Sequence, residues 1–266
     1  MRRLLNPKVD FVFKKIFGSE DSSQILISFL NAVLKPKDLI KEVVIRNSDI
    51  EKEYIQDKFS RLDIKATTDK NEIVNIEIQL KNEYNMIQRS LYYWSKLYEE
   101  QLSSGERYDK LRRTVCINIL DFKYLKNDIF HNRYRLKEIE TNEELTNIQE
   151  IHFIEIPKLK KLSSEEEVTD LLEAWIEFLR EPESSFVRKI EMTNDKIRLA
   201  KDKLYNLSMN DKEREIYELR EKSIKDEVSA LYNAEEKGIV KGIEMAQIEI
   251  AKKSLNLLSL VYTNIC

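Results

Sequence analysis

Residues 61–81 read RLDIKATTDKNEIVNIEIQLK. Two runs of alternating apolar and polar residues flank a short polar turn, Asp69-Lys70-Asn71. A period of two marks a strand with one face on a core, so the stretch predicts a β-hairpin. On its first strand Leu62, Ile64 and Ala66 point one way and Arg61, Asp63 and Lys65 the other. On the second, Ile76, Ile78 and Leu80 face the core, and Asn75, Glu77, Gln79 and Lys81 share the opposite face. With this turn Thr68 pairs with Glu72, which sets Asp63 opposite Glu77 and Arg61 opposite Gln79.

Cross-strand partners lie about 5 Å apart at Cβ. Two carboxylates at that distance repel when both are ionised. A proton, a nearby lysine or a divalent cation would compensate. Carboxylate oxygens suit Mg²⁺ or Mn²⁺, which keep several waters and meet substrate phosphates. Such an ion lowers the pKa of a water and stabilises charge developing on a phosphate. Gln79 and Lys81, on the same face, are placed to orient that water or touch the phosphate. The plainer reading is a solvated hairpin face of alternating charge, and alternation alone leaves both open.

The surrounding chain predicts a mixed α and β part followed by an all-α part. Residues 10–18 form a short helix stopped by Gly18, and residues 24–34 a second with Ile25, Phe29, Leu30 and Val33 at helical spacing, ended by Pro36. A β-type run covers residues 41–46. Residues 86–101 predict an amphipathic helix whose inner face is Ile87, Leu91, Trp94, Tyr98 and Leu102. Residues 114–120 read as a buried strand, and 134–139 and 151–156 as further strands. Ser164 to Glu167 has the pattern of a capping box before a helix over 168–179. After Pro182 there is no proline, and the chain is charged and helical nearly to its end. The expected organisation is therefore residues 1–162 and 163–266, with a boundary near Leu162.

Composition narrows the function classes. Charged residues make up 35% of the chain and apolar ones 42%, which suits long solvated helices around a real core. The net charge of −3 neither favours nor excludes nucleic acid, since binding depends on local patches. Cys116 and Cys266 form no disulfide framework, so a reducing, cytoplasmic setting is expected. No apolar run is long enough for a membrane span, and no secretory leader follows Met1. His131 and His152 with two cysteines lack zinc spacing, and glycines at 18, 105, 238 and 242 cannot build a phosphate loop.

Asp63, Glu77-Ile-Gln79 and the helix and apolar strand after them resemble the PD-(D/E)XK nuclease superfamily. More closely, the chain resembles the Rpn, or recombination-promoting nuclease, family of transposases. DFVFKKIFG (residues 10–18) is similar to that family's opening, FLNAVL (29–34) to its second helix and RLDI…NIEIQ to its catalytic hairpin. QRSLYYWSKLYEEQLSSGERYDKL (88–111) is similar to its next helix and EKGIVKGIEMA (236–246) to its C-terminal helix. The resemblance implies a restriction-endonuclease-like α/β (α+β) core, a mixed sheet flanked by helices with an all-α extension. It also implies metal-dependent hydrolysis of DNA phosphodiesters in recombination, mobile-element or foreign-DNA defence roles.

By that resemblance Asp63 and Glu77 bind Mg²⁺ or Mn²⁺. Gln79 stands where the superfamily has its lysine, and Lys81, Arg61 and Lys65 are candidate substitutes. Asp10 either joins the metal site or serves its helix start. Lys14 contacts phosphate or pairs with Asp10, and Arg89 and Tyr93 reach phosphate or are structural. The C-terminal helices are either a lid on the core or an arm that pairs with a second copy. A binding module of the same fold with weak or no catalysis, and an RNA-directed nuclease, are the alternatives to a DNA endonuclease.

Overall fold

The computed structural model describes residues 2–46, 63–160 and 170–263. The hairpin pairs in the expected register. Strand β2 (Ile64–Thr68) runs antiparallel to β3 (Ile73–Gln79), with Ile64 opposite Ile76 and Lys65 opposite Asn75. The Thr68 N–H donates to the Glu72 carbonyl at 3.0 Å, and Asn71 supplies the left-handed turn residue at φ 58°.

These strands belong to a six-stranded sheet of order β1-β2-β3-β4-β6-β5. Its other members are β1 (Val43–Arg46), β4 (Thr114–Leu120), β5 (His131–Lys137) and β6 (Glu144–Glu155). β3, β4 and β6 are mutually parallel in that order, while β1 and β5 pair antiparallel at the two edges. The crossover from β3 to β4 carries helix α3 (Met86–Glu99), as a parallel pair requires.

Helices cover both faces of the sheet. On one, α1 (Asp10–Phe17) buries Val12, Phe13, Ile16 and Phe17. A Cβ at Gly18 would lie 3.0 Å from Ile64 Cγ1, so the missing side chain lets the end of α1 close onto β2. α2 (Ser23–Leu34) ends at Lys35 in the left-handed region, just before Pro36. α4 (Leu171–Arg180) begins at Asp170, whose side chain accepts from the Leu172 N–H. The Phe17 ring lies 5.5 Å from Trp175 and 5.4 Å from Phe29, and Trp175 lies 6.0 Å from Phe178, so one aromatic cluster locks α1, α2 and α4 together.

α3 covers the other face, and here the expected helix face is corrected. The inward residues are Met86, Ser90, Tyr93 and Leu97, whereas Ile87 and Leu91 are 46% and 45% exposed. The sheet surface beneath α3 is partly polar, presenting Asn75, Glu77 and Asn118 beside Cys116 and Leu120. The matching helix face is therefore mixed: the Ser90 hydroxyl donates to Asn118 Oδ1 at 2.8 Å. A helix docks on the surface it complements, which is not always its most apolar stripe.

α5 (Ser185–Ile190), α6 (Asp195–Met209) and α7 (Asp211–Thr263) complete the chain. Contacts divide it into two units, Met1–Tyr217 and Glu218–Cys266. α4, α5 and α6 lie in the first unit. The boundary expected near Leu162 and the capping box at residues 164–167 fall outside the described residues. The second unit is the rest of α7, where Lys225 pairs with Glu221 and Lys253 with Glu249 one turn apart. Among the described residues no helix is long and apolar enough to cross a membrane.

Phe17→Ala is expected to cost about 3–5 kcal/mol, because the cluster cannot collapse into the space left by a central ring. Equilibrium denaturation checks this; a loss below about 1 kcal/mol would mean the cluster is not the keystone of that face.

Candidate active site

Asp63 stands one residue before β2, and the hairpin register continues to place it opposite Glu77. Its Oδ2 accepts from the Ile78 N–H at 2.8 Å, so the side chain stitches the start of β2 to β3. The Lys14 ammonium, from α1, lies 3.3 Å from Asp63 Oδ1. Burial pushes the Asp63 carboxyl upward, the Ile78 N–H and Lys14 pull against it, and the charge of Asp10 adds to the upward push. Asp10 thus belongs to the same electrostatic neighbourhood. It is the first residue of α1, with Val9 in the cap position, and also complements that helix end.

Glu77 sits in β3 beneath α3 and is 1% exposed. Neither carboxylate oxygen accepts a well-aligned hydrogen bond; the Asn75 side chain lies close enough to draw the Glu77 carboxyl downward, and its own Oδ1 is buried without a partner. Arg89 Nε lies 3.3 Å from Glu77 Oε2, at ion-pair distance but without hydrogen-bond alignment. Burial first, with Asp63 adding and Arg89 opposing, pushes the Glu77 carboxyl up to about 7.

A second buried glutamate shows what a satisfied one looks like. Glu150 Oε2 accepts from Arg113 at 2.7 Å and from Arg135 at 2.6 Å, and Oε1 meets His152 Nε2 at 2.8 Å. His152 in turn meets His131 at 2.8 Å. Burial opposes the charge of Glu150, yet the bonds from His152 and Arg113 outweigh it and hold the carboxyl well below its ordinary range. Both histidines are thereby committed to a structural network. Glu77 has no such set of donors, although the fold buries it as deeply.

Gln79 ends β3. Its amide is oriented by its neighbours, since a guanidinium offers donors only. With the oxygen turned to Arg89, it accepts from Nη1 at 3.2 Å and Nη2 at 3.1 Å. The guanidinium lies over the Tyr93 ring at 5.4 Å, and its Nη1 is 3.7 Å from Glu83 Oε2. Arg89 thus binds β3 to α3 through Glu77 and Gln79, a role that residue spacing did not reveal. The sole hint in the sequence is the i,i+4 spacing of Arg89 and Tyr93.

The remaining candidates scatter. Lys65 faces the acidic side of the hairpin, but its ammonium pairs with Glu100 at the end of α3. Tyr93 is buried among Met86, Leu97, Cys116 and Phe153. Lys81 lies two residues past the end of β3. Arg61 falls outside the described residues.

A family profile described as PD-(D/E)XK nuclease family transposase matches residues 7–234. The chain belongs to that family. No curated protein and no solved structure matches it. Membership of the PD-(D/E)XK transposases carries a nuclease-like or transposase-related role, and nucleases of this superfamily typically use divalent metals. The donors present fit such an ion in kind: two facing carboxylates, one with no well-aligned hydrogen bond on either oxygen in a buried polar spot. Among the described residues no group of three or more His, Cys, Asp or Glu side chains is placed to hold a metal ion.

The raised Glu77 carboxyl fixes the sign of a pH effect. The folded state holds this proton more tightly than the unfolded chain does, so its contribution is lost as pH rises from the ordinary 4.5 toward about 7. Glu77→Gln removes that loss. Without divalent ions, the variant is expected to melt a few degrees above wild type at pH 8 and to match it at pH 4. Melting curves that stay parallel across this range would contradict the burial of an uncompensated charge.

Proposed function

We propose that this protein is a Mg²⁺- or Mn²⁺-dependent endonuclease that hydrolyses DNA phosphodiester bonds. The observation that carries the reading is Glu77, buried with no well-aligned hydrogen bond on either oxygen and only a misaligned ion pair to Arg89, opposite Asp63. A buried carboxylate without donors is costly unless something completes it. Asp63 and Glu77 would hold the ion, which when bound supplies an acidified water and stabilises charge on the phosphate.

The protein's own groups have separate tasks. Asp63, fixed by the Ile78 N–H, cannot swing away from the hairpin. Lys14 balances its charge and is 26% exposed, so it can meet a phosphate oxygen once an ion takes over Asp63. Gln79 adjoins the acids at the end of β3 and contributes a neutral hydrogen-bonding group where the superfamily motif has a lysine. A reducing cytoplasmic compartment suits the free, buried Cys116. A recombination, mobile-element or foreign-DNA defence setting is part of this proposal, supported by the nuclease and transposase description of the family.

Supercoiled plasmid is expected to be nicked by wild type with Mg²⁺ or Mn²⁺ and not with EDTA. Asp63→Asn and Glu77→Gln should each lower the rate about 100-fold or more, as removal of an ion that stabilises the transition state predicts. Equal cleavage by the variants would assign the activity elsewhere. DNA binding without cleavage by any of the proteins would replace the reading with that of a binding module.

A further inference from the structure

The acids of this site lack the lysine of the motif after which the family is named, and the geometry of β3 and α3 shows what stands in its place. Position 79 carries a carboxamide, which is neutral and can present either an acceptor or a donor. Arg89 decides which. With the amide oriented so that its oxygen meets the guanidinium, both terminal nitrogens donate to that oxygen, at 3.2 and 3.1 Å. The guanidinium cannot turn freely, because the Tyr93 ring lies beneath it and Glu77 and Glu83 flank it. Its side chain is only 25% exposed, so the charge works in a poorly solvated place.

We propose that Arg89 is a positioning residue: it takes the Gln79 oxygen, presents the Gln79 NH₂ as a polarised donor to a phosphate oxygen, and with Gln79 replaces a lysine at position 79. This inference rests on the nuclease reading and revises one role within it. Gln79 acts as a donor to the phosphate and not as an acceptor that activates water. It also gives Arg89 a task that does not require it to touch DNA. A planar fork is needed, since only a guanidinium can hold one carbonyl oxygen with two nitrogens while stacking on a ring. The arrangement is preorganised before substrate arrives, which is what makes such a donor effective.

The test is a pair of backgrounds. Arg89→Met in the wild-type chain is expected to slow Mg²⁺-dependent plasmid nicking about 100-fold, the usual loss for one preorganised donor. Gln79→Lys sets the reference rate of the second background, whatever that rate is, and adding Arg89→Met to it should cost less than about threefold, because the lysine needs no orienting partner. An equal loss in both backgrounds would make Arg89 merely structural and overturn the proposal. Arg89→Lys, which keeps the charge but loses the fork, guards against a misfolded Met variant; it should resemble Arg89→Met in nicking while still melting in one cooperative transition.

A second readout needs no activity. In the ¹⁵N spectrum of the metal-free protein, the Gln79 side-chain NH₂ pair, identified by its loss in Gln79→Glu, should move in Arg89→Lys. If wild type does not nick DNA, the nuclease reading fails by itself and the spectrum decides the rest. A displaced pair then supports the Arg89–Gln79 bond, and an unmoved pair overturns it.

Discussion

A carboxylate sealed under a helix with no well-aligned hydrogen bond is the constraint around which this protein is arranged. Glu77 is placed there by a strand register that cannot slip. Moving β3 by one residue would turn Glu77 into the apolar layer that Ile76 and Ile78 now fill and put both isoleucines against the polar surface under α3. The parallel pairing with β4 sets Asn118 beside it, and Ser90 of α3 closes over Asn118. α3 brings Arg89 to the same spot, close enough to temper the charge and too poorly aligned to satisfy it. Glu150, with Arg113, Arg135 and His152 on its oxygens, shows that the fold can satisfy a buried glutamate where stability is the sole demand. Glu77 is left with open valences where the hairpin also delivers Asp63.

Much of this was legible because it is local. Alternation in residues 61–81 and the polar turn determine the pairing of Ile64 with Ile76, and hence the approach of Asp63 to Glu77. The apolar run 114–120 appears as β4 with the same ends. The helical character of the C-terminal part followed from its apolar spacing among charges. The packing of α4 against α1 and α2 was not legible, since the contact of Trp175 with Phe17 and Phe29 joins residues far apart in the chain.

What failed failed for physical reasons. Counting apolar residues put Ile87 and Leu91 inside, but the sheet under α3 is itself half polar and selects the face with Ser90 and Tyr93. Lys65 lies on the expected face, and its long side chain pairs with Glu100, a partner that alternation could not name. Arg89 was legible as a cation near the site and not as the group that orients Gln79, because that depends on how α3 docks. The site that results is asymmetric. Lys14 balances Asp63 from α1, Arg89 holds Glu77 and Gln79 from α3, and the two acids meet between helices from opposite faces of the sheet.

The central claim is that Asp63 and Glu77 together make a divalent-cation site before any DNA is bound. Mn²⁺ titration followed by electron paramagnetic resonance, at pH 8 and without DNA, tests it most directly. The account predicts one Mn²⁺ taken up per wild-type chain, and that uptake lost in Glu77→Gln and in Asp63→Asn. Equal uptake by all three proteins, or none by wild type at millimolar Mn²⁺, would contradict it.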